Sequence, residues 1–174
     1  MRSFFLFRVY AGCGVAVLLL LCACATPNRS RPFDYYMLSL SWTGDGFVLH
    51  GLWPEVVGSL SPENCAGPVF DSASVPDELP RIMPGERLME HEWMTHGTCS
   101  GLSEGEYFRT AVRAFRMMKI PVLERESPSA VRRQFAQANP DFPSAAFQVK
   151  EHGEYLAEVR VCLTTDLRPL ACGR

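Results

Sequence analysis

Residues 33–54 read FDYYMLSLSWTGDGFVLHGLWP, and their alternation decides the class of fold. Tyr35, Met37, Ser39 and Ser41 share one face of an extended segment while Tyr36, Leu38, Leu40 and Trp42 share the other, a period of two with the aromatic content of a strand. Thr43-Gly44-Asp45-Gly46 supplies turn chemistry, so Phe47 to His50 is expected to return as the second strand of a hairpin. There Phe47 and Leu49 lie on one face, Val48 and His50 on the other. Gly51 and Pro54 are expected to stop the strand just beyond the histidine, leaving His50 near a strand end.

Downstream, residues 55–83 are rich in proline and glycine, lack apolar periodicity and read as loop. Pro84-Gly85-Glu86 opens a helix whose Leu88, Met89 and Trp93 face a core and which Gly97 stops. On that helix Glu92 and His96, four apart, stack on one face, and His91 lies to the side. Ser103 and Glu106 form a capping box ahead of an apolar stripe of Phe108, Ala111, Val112, Phe115 and Met118. Ser127-Pro128 starts a further helix toward Ala138 with Val131 and Phe135 inward. From Ala146 to Leu163 strand alternation returns around a turn at His152-Gly153, with Tyr155, Ala157, Val159 and Val161 alternating against charges. The expected architecture is α+β, a single disulfide-stabilised domain with a central antiparallel sheet from the two ends of the chain flanked by helices.

Upstream the composition changes. Arg2 and Arg8 are the only charges before Arg29, and Val15 to Leu21 is an unbroken apolar run too short to span a bilayer, so residues 1–24 read as an export signal and 25–174 as the domain. Leu21-Cys22-Ala23-Cys24 resembles a lipoprotein cleavage site with Cys24 as the acylated residue; Ala23-Cys24-Ala25 also fits ordinary cleavage, giving a free product beginning at Thr26. A periplasmic or outer-membrane-anchored protein is expected, touching a membrane only through that lipid. Without the signal, 15 basic residues face 19 acidic ones, a formal net charge of −4, which argues against tight nucleic-acid binding through a broad basic face. Cys65, Cys99, Cys162 and Cys172 remain, an even number that favours disulfides in an exported chain. Of three pairings, Cys65 with Cys99 and Cys162 with Cys172 is expected. A zinc site using His96 and Cys99 is the alternative.

Three of the four histidines fall in two short windows, FVLHGLWP at 47–54 and HEWMTHGTC at 91–99. Imidazoles on opposite sides of a scissile bond can act as base and acid, deprotonating an attacking hydroxyl while protonating a leaving alkoxide. RNA offers both groups: its 2'-hydroxyl can attack the adjacent phosphorus, expel the 5'-oxygen and leave a 2',3'-cyclic phosphate. No protein nucleophile, metal or cofactor is needed.

The windows resemble the two active-site segments of the ribonuclease T2 family, at His50-Gly51-Leu52-Trp53-Pro54, at His91-Glu92-Trp93 and at His96-Gly97-Thr98-Cys99. The likeness extends from FDYYMLSLSW to the closing EVRVCLTTDLRPLAC. It implies an α+β endoribonuclease acting on single-stranded RNA as a monomer, without stable DNA binding. By the same resemblance His96 is the base toward the 2'-hydroxyl, His50 the acid toward the 5'-oxygen, and His91 with Glu92 bind phosphate and stabilise the transition state. Trp53 is implied as a stacking platform for a base, against its default reading as core. Trp93 is read as structural, and so is His152.

Two departures follow from the comparison with that family pattern. Thr95 stands in the substrate-binding position where members commonly carry a lysine before the last histidine, so reduced rather than abolished activity is expected. The short turn at Thr43 to Gly46 replaces a longer cysteine-containing insertion, leaving the groove more open. The departure at Thr95 and the acidic balance motivate a non-enzyme alternative, a surface lipoprotein of ribonuclease-like fold that binds RNA or a partner. A zinc peptidase is refused by spacing: the second histidine falls five residues after His91, where HExxH needs four.

Overall fold

The computed structural model describes residues 33–123, 127–152 and 155–173. The expected signal 1–24 with Cys24, and Gly153 of the expected turn, lie outside these residues. Strands β1 (Tyr35–Trp42), β2 (Phe47–Glu55), β3 (Phe147–His152) and β4 (Tyr155–Thr164) form one antiparallel sheet in the order β2-β1-β4-β3. Between the two hairpins run α1 (Leu79–Ile82), α2 (Glu86–Thr95), α3 (Glu104–Arg116) and α4 (Pro128–Ala138). The result is a single disulfide-stabilised α+β domain.

The first hairpin turns where the sequence places it, with Gly44 at φ 104° and Thr43 N–H donating to the Gly46 carbonyl at 2.9 Å. Its second strand, however, does not stop after His50. β2 continues through Gly51 and Pro54 to Glu55, because a proline costs little in an outermost strand, where part of the backbone N–H groups face away from the sheet. His50 therefore lies in mid-strand. The register also slips there: Ser39 pairs with Gly51 and Leu40 with Leu49, so His50 is the extra residue of a β-bulge. Before the bulge Phe47 and Leu49 are buried; after it Leu52 and Pro54 are. The phase change keeps apolar side chains on the core side and turns Trp53 to the same side as His50.

Residues 55–83, read as loop, hold a 3-10 turn at Ser72–Ser74 capped by Asp71 and the four-residue α1 with Leu79 fully buried. Elements this short offer no periodicity to read. The longer helices follow their local chemistry. Ser103 N–H donates to the Glu106 carboxylate at 3.0 Å at the start of α3, and the Ser127 hydroxyl caps α4 with Pro128 in its first turn. Phe135 of α4 meets Phe47 edge-on, centroids 5.3 Å apart, and tilts against Phe147 at 5.9 Å, joining the two hairpins. Phe108, Phe135 and Phe147 are at most 1% exposed, each contributing about 1.5–3 kcal/mol by burial. On α3 the expected stripe is buried at Phe108, Ala111, Val112 and Met118, with Phe115 partly so.

Cys65 is bonded to Cys99 and Cys162 to Cys172. The first bridge spans 34 residues and ties the long loop to the turn after α2; the second spans 10 and pins the C-terminal segment to β4. Loop-closure entropy then predicts that replacing both cysteines of the 65–99 bridge by alanine lowers the unfolding free energy by about 4 kcal/mol, against about 3 kcal/mol for the 162–172 bridge. Urea denaturation of the two double variants measures this; an equal or reversed order would show that native-state effects outweigh chain entropy.

Candidate active site

The bulge aims His50 between two carboxylates. Its Nε2 lies 3.5 Å from Glu92 Oε1 on α2, and its Nδ1 lies 3.4 Å from Glu158 Oε1 on β4, with the imidazole about one third exposed at 34%. The hydrogen bond to Glu158 is the main reason its pKa is raised; burial opposes this and the charge of Glu92 adds to it. Since a carboxylate only accepts, Nδ1 carries a proton toward Glu158 and Nε2 is the end free to exchange one.

Glu92 is completely buried. Its Oε2 accepts from the Trp53 indole N–H at 2.7 Å, while Oε1 takes no hydrogen bond and faces His50. Removal from water pushes its carboxyl up to about 7, despite the opposing indole bond and His50. A group so desolvated spends much of its time neutral near neutrality. The carboxylate reaches this place because position 51 has no side chain: a Cβ there would stand 1.9 Å from Glu92 Oε2 and 2.5 Å from Trp53 Nε1.

His96 caps the C-terminal end of α2, at φ −118° and ψ −44°, with its N–H on the Glu92 carbonyl at 3.1 Å. Its ring lies 5.2 Å from that of Trp53, and the same indole lies 5.4 Å from the ring of His50. Burial foremost, then the neighbouring His91 and His50, lowers its pKa to about 4. His91 sits on the exposed side of α2, its ring centroid 6.4 Å from that of His96. Thr95 Oγ1 lies 3.4 Å from His91 Nδ1. Three ties hold this helix end to the long loop: Asn64 N–H on the Thr95 carbonyl at 2.8 Å, Trp93 Nε1 on the Pro68 carbonyl at 2.9 Å, and the 65–99 disulfide. Cys99, being in that bridge, cannot serve with His96 as a zinc ligand.

His50, Trp53, Glu92 and His96 thus share one site, with His91 and Thr95 on its rim. Trp93 is buried at 1% exposure and packs on Tyr107, in line with a structural role. Two further residues escape a motif-based reading. Glu158 accepts from the Ser39 hydroxyl, from Arg160 Nε at 2.6 Å and from His50 Nδ1. Burial would raise its pKa, but those three bonds and the Arg160 charge together bring it down to about 2. Arg160 places its guanidinium carbon 4.8 Å from the centroid of the Trp53 ring. Their one trace in the sequence is the pair of charges alternating with Val159 and Val161, where an opposite charge two residues away looks like an ordinary solvated face.

A site with one imidazole held neutral, one biased toward its protonated form and a carboxyl between can take a proton at one end and deliver one at the other. The model of the Ribonuclease T2 family matches residues 21–172. A ribonuclease of Aeromonas hydrophila is 37% identical over 100 residues, 48% of this chain and 46% of that protein. A probable ribonuclease of Haemophilus influenzae is 32% identical over 127 residues, 54% of this chain and 46% of that one. The matched region is thus about half the length of these relatives. Among solved structures, an RNase-related protein from Calystegia sepium superposes with a TM-score of 0.66 at 19% identity, covering 82% of this chain and 93% of that one. RNase NT, in complex with 5'-AMP, does so with a TM-score of 0.64 at 19% identity, covering 82% and 91%. At that identity the structural likeness speaks for the fold, and the family model, spanning the strand and the helix that build the site, places this chain in the Ribonuclease T2 family.

Proposed function

We propose that this protein is an endoribonuclease that cleaves single-stranded RNA by transphosphorylation. The observation that carries this reading is that His50 and His96, from a strand and a distant helix, flank one indole ring with opposite protonation preferences. His96, neutral above about pH 4, takes the proton of the 2'-hydroxyl. The 2'-oxygen bonds to phosphorus, the bond from phosphorus to the 5'-oxygen breaks, and His50 Nε2 gives that oxygen its proton. The products are a 2',3'-cyclic phosphate and a 5'-hydroxyl. Glu92, with a carboxyl that titrates at about 7, repels the phosphate less than a fully ionised carboxylate would, and His91 on the rim adds a donor. Glu158 is a positioning residue: by holding Nδ1 it leaves Nε2 as the working atom. The nucleotide complex of RNase NT supports an RNA substrate for this chain. The two disulfides support the expected export; the lipid anchor at Cys24 rests on the sequence alone.

The purified domain should cleave single-stranded RNA in excess chelator, yield 2',3'-cyclic ends by mass spectrometry and leave DNA intact. His50→Ala and His96→Ala should each lose about 10²- to 10⁴-fold in rate. RNA left intact by the unaltered protein would overturn the reading in favour of a binding protein.

The proton roles also set the pH profile. Because the Glu158 bond is the main cause of the raised His50 pKa, Glu158→Gln should let His50 lose its proton at lower pH. The alkaline limb of kcat/KM then moves downward while the acidic limb, set by His96, stays; movement of the acidic limb instead would exchange the two roles.

Glu92 gives a stability prediction. Its carboxyl titrates at about 7 in the folded chain and at about 4.5 when unfolded, so ionisation favours the unfolded state and stability falls as pH rises through that window. Glu92→Gln, which keeps an acceptor for Trp53, should therefore gain on the unaltered protein between pH 4 and pH 8, by on the order of 3 kcal/mol. Thermal melting at the two pH values measures the difference; no gain would show that Glu92 is ionised and paired throughout.

A further inference from the structure

A phosphoryl group under attack gathers negative charge on its non-bridging oxygens, and imidazoles alone meet it poorly when one of them must stay neutral to act as base. On α2 the residue before His96 is Thr95, which brings no charge. The sheet brings one. Arg160 on β4 pairs with Ser39 of β1, and Ser39 pairs in turn with Gly51 beside the His50 bulge, so three neighbouring strands put Arg160 level with the acid. Its guanidinium lies 4.8 Å from the centroid of the Trp53 ring, the indole that also touches both His50 and His96.

The guanidinium is held at one end only. Nε donates to Glu158 Oε2 at 2.6 Å, whereas the two terminal nitrogens take no hydrogen-bond or ion-pair partner among the described residues. The side chain is 30% exposed, so it is reachable from solvent. Glu158 already accepts from Ser39 and His50 and does not need the whole fork. An arginine anchored through Nε with its paired terminal groups unspent, on the site's own indole, has the geometry for gripping two phosphate oxygens.

We propose that Arg160 is the cation that binds the scissile phosphate, supplying from β4 the charge that Thr95 does not supply from α2. This rests on the ribonuclease reading. Arg160 takes no part in proton transfer; it donates hydrogen bonds to the non-bridging oxygens as their charge grows. Glu158 then positions two groups at once, the acid through His50 Nδ1 and the cation through Arg160 Nε.

The test uses a dinucleoside phosphate substrate with Arg160→Ala, Thr95→Lys and the two combined. Arg160→Ala should lower kcat/KM by about 10²- to 10³-fold. Thr95→Lys should then raise the rate at least about tenfold more in the Arg160→Ala background than in the unaltered one, a rescue that a merely structural arginine does not allow. Equal effects of Thr95→Lys in both backgrounds, or a loss of less than about threefold in Arg160→Ala, would overturn the proposal. If Arg160→Ala does not fold, Arg160→Lys, which keeps the charge beside Glu158 without the fork, carries the same comparison. A 2'-deoxy dinucleotide, which binds but lacks the attacking hydroxyl, separates the two readings. Weaker binding by Arg160→Ala, about tenfold at low salt and less at high salt, supports the phosphate contact even if RNA proves intact and the ribonuclease reading falls; equal affinity for this probe removes the contact whatever the RNA result.

Discussion

The buried carboxyl of Glu92 is the constraint around which the site is arranged. A carboxylate taken from water without partners costs several kcal/mol, and among the described residues this one has a single hydrogen bond, from Trp53. The chain meets that cost by holding the proton on the group up to about pH 7 and by shaping its neighbours to it. Position 51 must be glycine, Trp53 must turn its N–H inward, and β2 must slip register at His50 so that indole and imidazole come to one side. Remove any of these and helix α2 loses its polar tie to the sheet.

Much of the fold was legible because its signals are local. Alternation at Tyr35–Trp42, the capping pair Ser103 and Glu106, and Ser127-Pro128 each report chemistry confined to a few residues. The bulge leaves only a faint trace in FVLHGLW: buried apolar residues fall at 47 and 49 and then at 52, a step of three in a pattern of two. Gly51 and Pro54 carry the chemistry of a stop, yet the first stands beside a register change and the second is tolerated in an outer strand. The histidines of the site and Glu92 came from short motifs. Glu158 and Arg160 came from none, since what gives them meaning is a strand register joining Ser39 to a residue 119 positions away.

The two histidines that flank Trp53 are held by different means. His50 belongs to the sheet and is fixed by the hydrogen bond that its Nδ1 donates to Glu158, with Glu92 facing Nε2. His96 belongs to a helix end, a place that ordinarily frays. There the long loop does the holding, through a backbone bond at Thr95, an indole bond from Trp93 and the bridge at Cys99. A stretch with little regular structure of its own thereby sets the position of the group that must be most exactly placed for proton abstraction.

The slip at His50 and the proline at 54 also matter away from the chemistry. β2 lies at the border of the sheet, where an uninterrupted row of free amides and carbonyls would be a template for another molecule's strand. Here one residue of the row is displaced and another has no amide hydrogen to offer. The irregularity that orients an acid, together with Pro54, therefore makes this border a poorer template for a neighbour, a safeguard against aggregation at the β2 edge.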